Sequence, residues 1–246
     1  MIDRTERDFR RGVEDLNQRG GRTLSLVDLV LANTLSLELA AYLAGRVSEG
    51  ASFLTAAVPG GAGKTTVMAA LMGAIPQGEP LITVSHEGTL RTPLTGRATW
   101  LVHEIQDGPY YGYLWGGGVA SYFEKLLHGG RIVSCLHADD MQQLRAILIS
   151  PPNSVLPELL LGVELVLFLR MFRGVNGTAR RVASVHAPLD DAHREVCHWD
   201  PQSDTHRWLM DSDRSSATTT RALRVLSDLL DDGVRDWSTV REALSG

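Results

Sequence analysis

The chain has 246 residues, of which 43% are hydrophobic and 22% are charged, an ordinary composition for a globular protein with a sizeable core. A net charge of −5 and a pI near 5.9 weigh against tight nonspecific binding to nucleic acid, which needs a basic surface. Cys135 and Cys197 have no metal-like spacing, so reduced thiols of a cytoplasmic protein are expected. No apolar signal segment begins the chain, and the most apolar stretch, residues 155–172, is interrupted by Pro157 and Glu164. We therefore expect neither a secretory signal nor an integral membrane segment.

Helical patterns come first in the chain. Three apolar residues recur at helical spacing within a charged segment: Phe9, Val13 and Leu16. Ser25, with Asp28 three residues later, has the form of a capping box that begins a short helix. Ser36 begins a further helix that ends near Gly50, so we expect a helical N-terminal extension over residues 1–50.

From residue 52, short apolar runs alternate with glycine-rich turns and helical segments. The runs are 53–58, 81–84, 100–102 and 132–136, and helices are expected over 64–74, 118–128 and 139–149. Apolar strands separated by helices are typical of a mainly parallel sheet that is covered on both faces.

The second half of the chain changes character after a further helix expected over 154–162. Two pairs of extended segments follow, each joined by a turn: 163–171 with 180–186 through 174–177, and 195–199 with 206–210 through 200–204. These pairs favour β-hairpins. A helical stripe of apolar residues over 222–230 and then Gly233 predict a C-terminal helix.

One segment has the form of a phosphate-binding loop. It follows an apolar strand, begins a helix, and consists of Val58-Pro59-Gly60-Gly61-Ala62-Gly63-Lys64-Thr65-Thr66. Glycines let the backbone N–H groups surround a phosphate, and the N-terminus of the helix adds unpaired N–H groups. In this Walker A pattern Lys64 contacts the β- and γ-phosphates of ATP and the Thr65 hydroxyl holds Mg²⁺, although Val58 stands where a glycine is usual. A ligand-free strand-to-helix turn is the alternative.

Two polar side chains follow later apolar runs. Glu104 comes shortly after 100–102, and His137 directly follows 132–136. Ligands of open α/β sheets bind at the carboxyl ends of the strands, so both are expected near the loop. Glu104 would be the catalytic carboxylate of a P-loop hydrolase, and His137 would hydrogen-bond the γ-phosphate or Glu104. The alternatives are a solvated glutamate and a structural histidine; the other histidines have no zinc-like spacing.

Together these blocks resemble the secretion ATPases of type II and type IV systems, which include pilus and archaellum motors. Residues 34–43 look like the segment before the P-loop in archaeal members, and residues 59–66 resemble the family's Walker A block. His103-Glu104-Ile105-Gln106-Asp107 is similar to its Walker B block, and residues 129–140 are similar to its His box. The resemblance covers residues 25–210.

The resemblance implies a RecA-like P-loop α/β fold with a mainly parallel sheet. With the predicted β-hairpins this domain is expected over residues 51–212, and the helical stripe near the end of the chain predicts C-terminal helices over 213–246. The resemblance assigns nucleotide binding to Gly60, Gly61, Gly63, Lys64 and Thr65, and catalysis to Glu104 and His137. It further implies a homo-oligomeric ring, expected to be a hexamer, that hydrolyses ATP with Mg²⁺ and acts on a membrane platform protein. The expected location is cytoplasmic, peripheral at the inner face of the membrane.

Several departures from the family pattern bear on turnover. At the family's Asp box, residues 82–87, only Glu87 is acidic, and His103 and Gln106 replace a glycine and an arginine of the Walker B block. We expect the family's large N-terminal domain to be absent, and with it the arginines that reach a neighbouring subunit's ATP. Six arginines could substitute, although interleaved acids favour a solvated helix face: Arg4, Arg7, Arg10, Arg11, Arg19 and Arg22.

The sequence thus predicts an Mg²⁺-dependent ATPase that powers protein secretion or pilus-like assembly. A nucleotide-binding regulator or assembly subunit without turnover is the first alternative, motivated by the changed Asp box and by Val58. A nucleic-acid translocase is the second, and the acidic pI and the lack of interleaved aromatic and basic residues disfavour it.

Overall fold

The computed structural model describes residues 4–16, 21–93, 96–174, 177–210 and 215–245. Its helices are α1 (Arg4–Glu14), α2 (Leu26–Leu31), α3 (Leu37–Glu49), α4 (Lys64–Met72), α5 (Gly117–Phe123), α6 (Met141–Ile149), α7 (Pro157–Leu160), α8 (Ala217–Asp231) and α9 (Trp237–Ser245). Its strands are β1 (Phe53–Ala56), β2 (Leu81–Thr83), β3 (Thr99–Leu101), β4 (Glu104–Ile105), β5 (Tyr113–Leu114), β6 (Arg131–Leu136), β7 (Leu165–Gly174), β8 (Gly177–Leu189), β9 (Ala192–Asp200) and β10 (Thr205–Trp208). Two 3₁₀ turns span Glu87–Arg91 and Glu124–His128. No helix within these ranges is long and apolar enough to cross a membrane.

The main sheet has the strand order β10-β9-β8-β7-β1-β6-β3-β2, and β4 and β5 extend it beside β6. The strands from β7 to β2 along this order are parallel, whereas β8, β9 and β10 continue the sheet antiparallel. One strand, β6, lies between β1, which precedes the glycine-rich loop, and β3, which precedes Glu104. This is the strand arrangement of a RecA-like fold, and the predicted α/β class with a mainly parallel sheet is confirmed.

Helices cover both faces of the sheet and enclose two apolar cores. Neighbouring residues of a strand point to opposite faces, so Phe53 packs in one core and Leu54 in the other. The first core lies beneath α1–α4, α8 and α9, and the second beneath α5–α7. Because both faces are covered, every residue of β1 and of β6 is buried.

The predictions for the N-terminal helices are confirmed. The three apolar residues of the first segment are buried in the first core: Phe9, Val13 and Leu16. The Ser25 hydroxyl accepts a hydrogen bond from the Asp28 N–H, while the Asp28 carboxylate accepts one from the Ser25 N–H. Ser36 caps α3, which ends at Gly50 with φ 115°, a left-handed conformation that glycine adopts without strain.

Two helix predictions were too long. Within 154–162 only Pro157–Leu160 is helical, because Ser154 has φ 51° and therefore cannot belong to a right-handed helix. The helix expected over 118–128 ends at Phe123, and the chain continues as the 3₁₀ turn that leads to Gly129.

Both predicted hairpins are present, and a third turn at Asp190 joins them into one antiparallel extension of the sheet. Of the predicted turn 174–177, residues 175 and 176 lie outside the described residues. The boundary expected between 212 and 213 also lies outside them. The division after residue 50 stays a prediction, and α3 packs directly on α8.

Candidate active site

The glycine-rich loop between β1 and α4 has the backbone form of an anion cradle. Gly61 and Gly63 have φ values of 82° and 97°, which a side chain would strain. Gly63 precedes α4 and supplies no side-chain cap. Among the described residues, the N–H groups of Lys64, Thr65 and Thr66 have no hydrogen-bond acceptor. Unpaired N–H groups at a helix N-terminus form a ready site for phosphate.

Lys64 lies at the base of this loop and is nearly buried, with 8% of its side chain exposed. Its Nζ donates a long hydrogen bond of 3.4 Å to the Ala57 carbonyl and lies 3.3 Å from Glu104 Oε1 and from His137 Nε2. The chain contains only one other lysine, Lys125, which contacts Trp100 away from the loop. The ammonium group is therefore held between the strand end at Ala57 and the side chains of Glu104 and His137.

Glu104 is the first residue of β4, a two-residue strand between β5 and the end of β6, rather than the end of the preceding strand. The Tyr113 hydroxyl donates a 2.7 Å hydrogen bond to Oε2 and fixes the carboxylate. Burial and this bond to Glu104 raise the pKa of Tyr113, so its hydroxyl stays protonated at neutral pH. Oε1 is buried and lies within ion-pair distance of Lys64 and His137, but neither contact has the geometry of a hydrogen bond.

His137 follows β6 and bridges the carboxylate and the loop. Its Nδ1 donates a 2.7 Å hydrogen bond to the Val58 carbonyl, which leaves Nε2 2.9 Å from Glu104 Oε1. The Asp139 carboxylate accepts a 2.9 Å hydrogen bond from the Val58 N–H. Val58, which stands where the usual pattern has a glycine, is thus held at both its backbone groups by residues that follow β6.

Beneath the loop, Thr65 is the residue predicted to hold Mg²⁺. The sulfur of Cys135 lies 4.0 Å from Thr65 Oγ1, and its S–H donates to the His103 carbonyl at 2.9 Å. Burial raises the pKa of the Cys135 thiol to about 12, so the thiol is protonated at neutral pH. Within the described part of the chain no three His, Cys, Asp or Glu side chains cluster as a metal site, and the role of the Thr65 hydroxyl as a Mg²⁺ ligand stays a prediction from the sequence.

These groups line one cavity of about 750 Å³. It brings together most of the predicted site: Gly60, Gly61, Ala62, Gly63, Lys64, Thr65, Thr66, Glu104 and His137. Pro59 belongs to the loop but does not line the cavity. Glu87, the other acidic candidate, lines a separate pocket beside Lys125, so Glu104 is the carboxylate of this cavity among the described residues.

The structure adds lining residues to which the sequence assigned no part in the site. Tyr113, Arg180 and His103 contribute polar groups, and an apolar wall comes from the N-terminal segments: Val13, Leu16, Leu24 and Leu29. His103 has no hydrogen-bond partner at either ring nitrogen within the described ranges, and burial lowers its pKa, so its ring is neutral. His103 stands directly before Glu104 in the sequence, whereas no local signal indicated Tyr113 or Arg180.

The N-terminal arginines are largely engaged within the chain. Arg10 bonds to Glu6 and Glu242, and Arg22 binds both carboxylate oxygens of Asp28. Despite its burial, Asp28 has its pKa lowered to about 2 by the bonds from Arg22, Ser25 and Arg235. Arg19 lies outside the described residues.

The fold and cavity define a class: an α/β protein with RecA-like strand order and a glycine-rich loop that begins a helix. No protein-family model and no curated protein matches the chain. Solved structures similar to it include the VirB11 ATPase of the Brucella suis type IV secretion system in complex with sulphate, with 20% identity, a TM-score of 0.45 and 76% of this chain covered. The DotB ATPase of Yersinia pseudotuberculosis is 14% identical, with a TM-score of 0.47 and 91% of this chain covered. The DotB ATPase of Legionella pneumophila is 8% identical, with a TM-score of 0.41 and 86% of this chain covered.

The chain spans less than two thirds of the length of these three structures, namely 63%, 63% and 59%. Likeness at these identities and TM-scores carries no conclusion about activity, assembly or partners. The resemblance to archaeal members, and the roles of the individual site residues, stay predictions from the sequence.

Proposed function

We propose that the chain binds ATP with Mg²⁺ in this cavity and hydrolyses it. The observation that carries the proposal is the convergence of Lys64 and His137 on Glu104 Oε1, at 3.3 and 2.9 Å, beneath a loop whose N–H groups at Lys64, Thr65 and Thr66 have no acceptor among the described residues. A bound triphosphate would supply the acceptors that these N–H groups lack, and its charge would attract the Lys64 ammonium group. The apolar wall formed by Val13, Leu16, Leu24 and Leu29 would face the nucleoside.

Each side chain has a distinct part in this proposal. The loop and Lys64 bind the β- and γ-phosphates, and the Thr65 hydroxyl holds Mg²⁺, which when bound neutralises charge that develops on the phosphoryl oxygens. Glu104 orients the attacking water and accepts its proton. Tyr113 holds Oε2, so that Oε1 faces Lys64 and His137.

We further infer that the chain acts as a homo-oligomeric ring, a hexamer, in a secretion or pilus-like system, and that it contacts a membrane platform protein at the cytoplasmic face. Residues 103–107 and 129–140, which resemble the Walker B block and the His box, support this role. The net charge of −5 argues against a nucleic-acid substrate.

A nucleotide-binding regulator without turnover is the second candidate. The observation that favours it is the Tyr113 hydrogen bond, which occupies one of the two oxygens available to take a proton from water.

Phosphate release from Mg²⁺-ATP by the purified chain separates the two candidates. We expect steady release by the wild type, strongly reduced release by Glu104→Gln, and unchanged release by Glu87→Gln, the matched glutamate of the other pocket. Nucleotide binding without phosphate release in the wild type would contradict the ATPase proposal and support the regulator.

A further inference from the structure

Arg180, near the start of β8, lies against the glycine-rich loop. Its Nε donates a 2.8 Å hydrogen bond to the Gly61 carbonyl, and its side chain is half-buried in the cavity wall. A Cβ added to Gly63 would lie 3.2 Å from Arg180 Cδ, so the arginine crosses the loop at close range. The sheet extension thus brings a second cation to the loop that contains Lys64.

Arg180 differs from the other cations of the cavity in having no carboxylate partner. Arg22 is bound to Asp28, and Lys64 lies beside Glu104. Within the described ranges, no acidic group lies within ion-pair distance of Arg180, and only its Nε makes a hydrogen bond. A guanidinium has five N–H donors, so four donors on the two Nη atoms remain for a ligand.

The adjacent Arg181, in the same strand, has the surroundings of a structural arginine. It is buried and binds both oxygens of Asp204 at 2.7 Å. Successive side chains of a strand point to opposite faces, so Arg181 is directed away from the loop that Arg180 contacts. Two neighbouring arginines therefore have different surroundings, and only one of them lies at the cavity.

We propose that Arg180 binds the terminal phosphate of a nucleoside triphosphate from within the same chain and so distinguishes triphosphate from diphosphate. This inference rests on the proposed function. Gly61 anchors the guanidinium through Nε, which leaves the planar Nη pair free to bind two phosphate oxygens. Since Lys64 and Arg180 belong to one chain, this recognition does not require a second copy.

Affinities for Mg²⁺-ATP and Mg²⁺-ADP, measured by calorimetry, test the inference. Hydrogen bonds to charged groups have strengths that correspond to about 10- to 100-fold in affinity. We expect Arg180→Gln to lower the affinity for ATP by this factor and to leave that for ADP within about twofold. Arg180→Lys should restore part of the preference, and Arg173→Gln, at an exposed arginine of β7, should behave as wild type.

Equal loss of ATP and ADP affinity in Arg180→Gln, together with a lower melting temperature, would show that Arg180 only braces the loop and would overturn the inference. An unchanged ratio of the two affinities would overturn it as well. Failure of the wild type to bind either nucleotide would instead refute the proposed function itself.

Mixing two variants tests whether Arg180 acts on the nucleotide bound to its own chain. Arg180→Gln and Lys64→Ala are each expected to lose most phosphate release, and an equimolar mixture should release no more than the sum of the two. Recovery of release in the mixture would show that Arg180 acts on a neighbouring subunit's nucleotide and would overturn its action in cis.

Discussion

Replacement of Lys64 by alanine should remove most of the stabilisation that Mg²⁺-ATP gives to the fold. Lys64 Nζ lies 3.3 Å from Glu104 Oε1, and 8% of the Lys64 side chain is exposed, so the ammonium group is held beside this carboxylate. Its removal leaves the carboxylate of Glu104 facing the position of the bound phosphates. The variant thus loses an attraction to the triphosphate and exposes it to a repulsion.

The expected size of the effect follows from binding linkage. A ligand at a hundredfold its dissociation constant stabilises the native state by about 2.7 kcal/mol. For a chain of this length, 1 kcal/mol corresponds to about 2–4 °C in melting temperature, so wild type should melt about 5–11 °C higher with saturating Mg²⁺-ATP. The Lys64→Ala variant should shift by no more than about 1–2 °C at the same nucleotide concentration.

Thermal unfolding with and without Mg²⁺-ATP measures both shifts. Lys64→Ala also removes contacts to Ala57 and Glu104, so each variant is compared with its own melting temperature without nucleotide. Lys125→Ala is the matched control, because the second lysine of the chain lies over Trp100 and outside the cavity. A full wild-type shift in Lys64→Ala would refute the assignment of the loop as the phosphate site.

Three further outcomes are expected. Glu104→Gln keeps the shape of the side chain and the contact with Tyr113, so ATP affinity should persist. Turnover, measured as phosphate release, should fall at least about 10²-fold. Normal turnover would place the catalytic carboxylate elsewhere. His137→Ala should bind ATP with an affinity within a few-fold of wild type but lose most hydrolysis, because the wild-type His137 Nε2 lies 2.9 Å from Glu104 Oε1. A variant that melts at a lower temperature yet keeps full turnover per folded molecule would show that His137 has a structural role. Specific activity should rise with protein concentration as the ring assembles, whereas constant activity together with a monomer mass by light scattering would contradict a ring.

Periodic and local signals in the sequence predicted most of the fold. The parallel strands are apolar on both faces because helices cover both, and the caps at Ser25 and Ser36 form as expected. Helix ends were less predictable, since propensity specifies neither the change from α5 to a 3₁₀ turn after Phe123 nor the φ of 51° at Ser154 that precedes the short α7.

The candidate site was predictable where its chemistry is local in the chain. The loop has a spacing that can be recognised, and Glu104 and His137 each follow an apolar run that ends at the same sheet edge. Arg180 and Tyr113 could not be found in this way. Arg180 reaches the loop only because the hairpin strands continue the parallel sheet beside β1, and Tyr113 reaches Glu104 only through the short pairing of β4 and β5.

The nucleotide that remains bound after incubation with Mg²⁺-ATP tests the central claim most directly. The protein is separated rapidly from free nucleotide, and the bound fraction is identified by chromatography for wild type, Glu104→Gln and Lys64→Ala. We expect ADP on the wild type, uncleaved ATP on Glu104→Gln, and little nucleotide on Lys64→Ala. Recovery of only ATP from the wild type, or of the same nucleotide in the same amount from all three proteins, would contradict hydrolysis at this site.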